Sequence, residues 1–282
     1  MENMVFAFLA DIKSSRSMNG DERFSMQNRF RNAIENLNNI FGNEMLAPLC
    51  FSAGDSVQCL FKSASASIRC YLLFSTFFFP YRIRAGIGAG DINRNMLEEE
   101  AKNGRIDSIF LDGPAYHFAK KALGLAKEYD ARVLVVSNEC DQNRVINNML
   151  IEASNHRRKL STSQERLLTL CEFINPILNE EESVSYSNSF SELLPLMPVD
   201  KTVSMKKNLF NLFRDGRKEQ SERRLTDRSL PIFSAQVMSR NSDGRLAKIL
   251  NVSPQNIWLL KKRGNMDAIR TLEMLATKTF DA

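Results

Sequence analysis

The chain has 282 residues, of which 43% are apolar and 25% are charged, and its formal net charge is +5. These values are typical of a globular protein with one large domain or two ordinary ones, and they exclude a disordered or collagen-like chain. The mild basic excess is compatible with a polyanionic partner.

Cysteine usage and hydropathy narrow the class further. The chain has two histidines and five cysteines, and no two cysteines form a CxxC pair. A zinc site is therefore not expected, and the thiols are predicted to be reduced, as in a cytoplasmic protein. The most apolar segment, residues 71–81, is too short to span a bilayer. No signal peptide is predicted, and we expect no membrane contact.

Strands and helices alternate in the first half of the chain. Strands are predicted at residues 4–12, in a hairpin at 51–61, at 81–92 and at 131–137, and helices at 22–41, at 63–78 and within 111–129. The order β-α-β-β-α-β-α-β predicts an α/β (α+β) fold. Its expected form is a palm or ferredoxin-like sheet with helices on one face.

The second half is predicted to be helical, with one interruption. Residues 144–174 have helical periodicity, whereas the acidic, Ser-rich stretch 179–192 precedes two prolines and predicts a linker or mobile loop. We therefore divide the chain into a palm domain at 1–143, a helical connector at 144–235 with a mobile segment at about 179–200, and a helix-turn-helix module at 236–282.

Two carboxylates lie at ends of predicted strands. Asp11 ends the first strand, and Asp55 lies at the tip of the hairpin "FSAGDSVQCLF". In a palm-type sheet these two strands are neighbours, so both carboxylates could reach the same hard cation. Mg²⁺ is typically held by one or two carboxylates together with substrate phosphates. The competing interpretation is that Asp55 serves turn geometry alone. The spacing by itself favours the turn.

Four short motifs follow one another between residues 4 and 125: "FLADIKSSR", "SAGDSVQ", "RIRAGIGAGDI" and "DGPAYHFAKKA". In this order and spacing they resemble the motifs of the SatD family of bacterial proteins. That resemblance implies a shared fold and does not by itself define a biochemical function.

The same layout resembles, more distantly, the class III nucleotidyl cyclase domain. There the first strand and the hairpin each carry a metal-binding Asp, and these positions match Asp11 and Asp55. The Asn and Arg that steady the transition state in that family fall on His117 and Lys121, which keep a hydrogen-bond donor and a positive charge. The resemblance implies Mg²⁺ or Mn²⁺, a nucleoside triphosphate or other nucleotide, and a homodimer, because class III sites usually form between two subunits.

Residues beside the two carboxylates are the expected nucleotide contacts. Arg16 follows the first strand and would meet a phosphate. The other expected contacts are Ile12, Gly54 and Gln58.

The segment "DGRLAKILNVSPQNIWLLKKR", residues 243–263, resembles a helix-turn-helix. Ser253 can cap a second helix whose Ile257 and Leu260 face the first helix. In DNA-binding examples the second helix enters the major groove. Its exposed candidates for DNA contact are Gln255, Asn256, Lys261, Lys262 and Arg263. The alternative is a helical hairpin that forms a dimer contact, which Trp258 in the middle of the second helix favours.

Two functions remain open from the sequence. The first is an intracellular signalling protein that binds a nucleotide and a divalent metal through Asp11 and Asp55, with cyclase-like phosphoryl transfer in which Lys121 and His117 lie near the developing charge. The second is a catalytically inactive DNA-binding regulator whose N-terminal domain senses a ligand or dimerises.

Overall fold

A single mixed sheet organises the first half of the chain. The computed structural model describes residues 4–13, 19–53, 56–102, 106–138, 140–197, 213 and 243–279. Its strands lie in the order β2-β3-β1-β4-β5 and are antiparallel to their neighbours, apart from the parallel pair β4 and β5. The strands are β1 Val5–Ile12, β2 Met45–Ala53, β3 Ser56–Phe61, β4 Ile83–Gly90 and β5 Val133–Val136. The α/β fold with a palm or ferredoxin-like sheet is thereby confirmed.

Ten helices of the described residues surround or extend this sheet. They are α1 Gly20–Phe41, α2 Ala64–Thr76, α3 Arg94–Lys102, α4 Pro114–Glu128, α5 Cys140–Arg158, α6 Thr162–Ile174, α7 Glu180–Leu193, α8 Asp243–Leu250, α9 Pro254–Arg263 and α10 Met266–Lys278. Short 3-10 turns occur at Gly42–Glu44, Ser108–Phe110 and Leu194–Leu196. None of the helices among these described residues has the length and apolarity needed to cross a membrane.

Strand β1 is buried on both faces, because helices cover both sides of the sheet. Phe6, Phe8 and Ala10 belong to the core shared with α1 and α2. Ala7 and the partly buried Leu9 pack on the other side against apolar residues of α4. The prediction of helices on one face is therefore wrong, because side chains alternate across a strand and both sets are apolar here.

The alternate glycines of β4 explain how α4 reaches the second face. A Cβ atom at Gly86 or Gly88 would collide with the backbone of α4, at Ala119 and Leu123 or at Ala115 and Ala119. The helix therefore lies directly on bare backbone. Its N-terminal end lies beside the end of β4, so α4 runs antiparallel to β4 and parallel to β1.

The Ser-rich stretch of the second half forms a helix, so the linker prediction is wrong for residues 180–193. Asn179 closes a capping box with Glu182, which satisfies the first backbone donors of α7. Tyr186, Phe190 and Leu193 then form one buried stripe at helical spacing. Residues 198–200 of the predicted mobile segment lie outside the described residues.

Buried ion pairs fasten the helices of the second half. Arg69 of α2 donates two hydrogen bonds of 2.8 Å to Glu182 of α7. Arg157 of α5 contacts Glu172 of α6, and its guanidinium lies 2.8 Å from Glu273 of α10. Burial alone would lower the pKa of Arg157, but the attraction of the two carboxylates raises it. The C-terminal helices thus share one core with the rest of the chain.

Candidate functional site

The C-terminal end of β1 places Asp11 at one edge of the sheet. Asp11 lies opposite Ser56 of β3 on one side and Arg84 of β4 on the other. Its side chain faces α4, where Lys127 Nζ lies 2.5 Å from Asp11 Oδ2. The other carboxylate oxygen, Oδ1, is buried and has no hydrogen-bond partner among the described residues. A buried acceptor without a partner is unfavourable, so this atom is ready to bind a donor or a cation.

The hairpin tip starts directly beside this carboxylate. Ser56, the first residue of β3, lies across from Asp11. The preceding residues Gly54 and Asp55 lie outside the described residues, as does Arg16. Their proposed roles therefore stay predictions. In the part of the chain that is described, no group of three or more His, Cys, Asp or Glu side chains could hold a metal ion.

Two of the predicted nucleotide contacts have side chains that are buried in the protein interior. Ile12 is 4% exposed and belongs to the core on the side of α1 and α2, the face opposite Asp11. The buried Gln58 side chain faces the other way and donates a hydrogen bond to the carbonyl of Ser108. Gln58 therefore holds the 3-10 turn at Ser108–Phe110 against β3.

His117 and Lys121 lie on the exposed face of α4, away from the Asp11 of the same chain. His117 Nε2 is 3.9 Å from Asp112 Oδ1, and both side chains are mostly exposed. A helix rises 1.5 Å per residue, so His117 and Lys121 precede Lys127 by roughly 15 Å and 9 Å along the axis. The structure brings neither residue to Asp11 within one chain and brings Lys127 there instead.

A second carboxylate lies nearby, just after the end of α4. Asp130 accepts contacts from Lys13 Nζ at 2.9 Å, Arg84 Nη2 at 3.2 Å and Arg158 Nη1 at 3.5 Å. The hydrogen bond from Lys13 is the main reason that the pKa of Asp130 falls to about 2, with burial opposing it and Arg84 adding to it. This edge of the sheet thus carries several basic side chains around two carboxylates.

The segment predicted to be a helix-turn-helix contains two helices, α8 and α9, joined by residues 251–253. Ser253 caps α9 by accepting a hydrogen bond from the Asn256 backbone, and Ile257 is fully buried. Four of the predicted DNA contacts are exposed: Gln255, Asn256, Lys262 and Arg263. The fifth, Lys261, has its ammonium 2.5 Å from the buried Asp243 of α8. Lys261 therefore joins the two helices and is not free for a phosphate.

The sheet order and the Asp at the end of β1 define the class: a palm-like α/β protein whose sheet is extended by one parallel strand. A model of the SatD family matches residues 5–208. The chain therefore belongs to the SatD family. The match continues past the four sequence motifs into α5, α6 and α7. A search of the curated proteins found no match to the chain.

Proposed function

We propose that this SatD-family protein binds a nucleoside triphosphate, or another nucleotide, at the end of β1 together with Mg²⁺ or Mn²⁺. The observation that carries the proposal is the unpartnered buried oxygen of Asp11, at a strand end beside the hairpin. Carboxylate oxygen is the ligand that Mg²⁺ prefers, and one or two carboxylates are the usual number in nucleotide sites. Asp55 would be the second of these.

The charges around Asp11 support a phosphate-bearing ligand. Lys127 lies against its carboxylate, and Arg84 is its cross-strand neighbour. Lys13 follows two residues later along the chain. Lysine and arginine at this spacing would neutralise phosphate oxygens. The Lys127 ammonium occupies the position at Asp11 Oδ2 that a metal ion would take. When a metal ion binds there, Lys127 would turn toward phosphate.

The proposed reaction is cyclase-like transfer of a nucleotidyl group. The ribose 3′-oxygen bonds to the α-phosphorus, the bond to the bridging oxygen breaks, pyrophosphate leaves, and the hydroxyl proton passes to solvent. The bound metal would lower the pKa of the hydroxyl and offset charge on the leaving group. Asp11 and Asp55 hold the site, and Lys121 and His117 would stabilise charge in the transition state.

The exposure of His117 and Lys121 favours a site built from two copies of the chain. Both lie on a solvent-facing side of α4 and far from their own Asp11. A second copy that presents this helix to the Asp11 edge would complete the site. A two-fold dimer would then contain two such sites.

The test is to incubate the full chain with each of the four nucleoside triphosphates and Mg²⁺ or Mn²⁺. Pyrophosphate and a cyclic or oligomeric nucleotide would be sought by mass spectrometry. We expect product from the unchanged chain and from Asp141→Asn, whose carboxylate is fully exposed on α5. Asp11→Asn and Asp55→Ala should abolish it. Absence of both product and nucleotide binding in the unchanged chain would refute the proposal.

The second candidate is a DNA-binding regulator without catalysis. It is favoured by the exposed polar and basic face of α9, with Gln255, Asn256, Lys262 and Arg263. Fluorescence anisotropy of labelled random-sequence duplex DNA, titrated with the full chain, tests it. Binding that weakens with salt and with Arg263→Gln, but not with Asp11→Asn, would support this function. No binding at low salt would rule it out.

A further inference from the structure

A basic cleft lies beyond the sheet end. Neither Asp11 nor α9 lines it, but Arg84 and Lys13 lie both in the cleft and beside Asp11 in the sheet or the sequence. The empty space of the cleft, counted out into the solvent at its mouth, is about 340 Å³. Its walls come from the ends of β1, β4 and β5, from the chain after α4, from the last turn of α5 and from the start of α6. The charged lining residues are Lys13, Arg82, Arg84, Asp130, Arg132, Arg157, Arg158 and Glu165.

The cations of this cleft outnumber its anions. Arg157 is already matched by two buried carboxylates of α6 and α10. Asp130 is the shared partner of Lys13, Arg84 and Arg158. Among the described residues, no ion pair joins Arg82 or Arg132 to a carboxylate. Like charges held this close repel one another, and a bound anion would offset that repulsion.

A buried donor at the cleft also lacks a partner. The Nε atom of Arg132 is buried and makes no hydrogen bond to any described residue. Its backbone is fixed by a hydrogen bond of 3.2 Å from its amide to Ser154 Oγ. The backbone of Arg132 is therefore fixed just before β5, and the Nε–H of its side chain lacks an acceptor among the described residues.

Asp130 has the position of an internal anion in the cleft. It follows α4 in the left-handed backbone region, at φ 47°. Its carboxylate contacts three cations, which come from the residue after β1, from β4 and from α5. A ligand with more oxygens and more charge than one carboxylate would engage the same cations and also Arg82 and Arg132.

From this arrangement we infer that the cleft binds a phosphate group, as phosphate, pyrophosphate or the phosphate of a larger ligand. A guanidinium group binds phosphate oxygens through paired N–H donors, and four arginines besides Arg157 line this cleft: Arg82, Arg84, Arg132 and Arg158. The inference does not depend on nucleotide or metal binding at Asp11.

Calorimetric titration of the full chain with pyrophosphate, in metal-free buffer of low ionic strength, tests it. Arg158→Gln should weaken binding by roughly three- to tenfold. Arg82→Gln, at the residue before β4, tests the same cleft in case the first variant does not fold. Asp130→Asn should tighten binding, because it removes the competing carboxylate, and Asn tolerates the left-handed backbone at this position. Arg144→Gln, an exposed arginine of the same helix α5, is the matched control.

The inference requires weaker binding in Arg158→Gln or Arg82→Gln together with tighter binding in Asp130→Asn. No binding of pyrophosphate, or equal binding by all variants, would overturn it. A second titration with ATP and Mg²⁺ separates the sources of the phosphate. If the phosphate belongs to a nucleotide held at Asp11, then Asp11→Asn and Arg158→Gln both weaken the binding of ATP. If the cleft takes a free phosphate, Arg158→Gln weakens the binding of pyrophosphate but not that of ATP.

Discussion

Gly88 is the residue at which β4 and α4 approach each other closely. A Cβ atom there would overlap the backbone of Ala115 and Ala119, which cannot move without moving the helix. We expect Gly88→Ala to lower the free energy of unfolding by about 3 kcal/mol, at the upper end of overpacking substitutions. Urea denaturation followed by circular dichroism measures this change.

Gly124 provides the matched control for that substitution. It lies in α4, and a Cβ atom there would contact nothing within 4 Å. Gly124→Ala should raise the free energy of unfolding by about 0.5–1 kcal/mol, since Ala restricts the unfolded chain and favours helix. Equal stability of Gly88→Ala and the unchanged chain would show that α4 does not rest on β4 in this way.

Of the two residues that meet at the end of β1, the sequence predicts only one. Asp11 could be found from the sequence because it ends an apolar strand run. Lys127 could not, because its contact with Asp11 depends on the direction of α4 across the sheet. The alternate glycines Gly86 and Gly88 were the available signal for that packing, since bare strand backbone permits a helix to approach.

At the scale of elements, helix α9 contains an intrinsic fluorophore that can detect DNA binding. Trp258, the one tryptophan of the chain, is 39% exposed, and Lys262 Nζ lies 4.9 Å from its ring centroid. If α9 binds DNA, duplex DNA should change the Trp258 emission, and added salt should reverse the change. Arg263→Gln should reduce the salt dependence by about one phosphate contact. DNA binding by anisotropy without any change in Trp258 emission would place the contact elsewhere.

Element α7 shows why composition misleads. Its serines and three leading glutamates are typical of a linker, but the apolar residues Tyr186, Phe190 and Leu193 recur at helical spacing. Glu182 both closes the capping box and pairs with the buried Arg69 of α2. That second partner is distant in the sequence, so only the tertiary structure reveals it. The short helix α3 was not predicted, because we found no helical periodicity in its residues.

For the whole molecule, Arg157 joins the middle of the chain to its last described helix. It contacts Glu172 of α6 and Glu273 of α10, and all three side chains are buried. Arg157→Met would leave two buried carboxylates without their cation and should destabilise the protein by about 3–5 kcal/mol. Thermal or urea unfolding would detect this loss. Arg144→Met, on the exposed side of the same helix, should change stability by less than about 0.5 kcal/mol.

The assembly of two chains gives a further prediction. If His117 and Lys121 complete the Asp11 site of a second copy, then Asp11→Asn and Lys121→Ala are each inactive alone. Mixed dimers of the two variants contain one undamaged site and should recover part of the activity. Coexpression with two different tags and purification through both would supply these dimers. No recovery from verified mixed dimers would confine the site to a single chain.

We propose Asp11 as a metal-binding carboxylate, and Lys127 now occupies the position at its Oδ2 atom that a metal ion would take. The most direct measurement is a Mn²⁺ titration followed by electron paramagnetic resonance, with nucleotide present, on the unchanged chain and two variants. We expect Asp11→Asn to abolish specific Mn²⁺ binding and Lys127→Gln to strengthen it, because the competing ammonium is removed. Identical Mn²⁺ binding in all three proteins would contradict the claim.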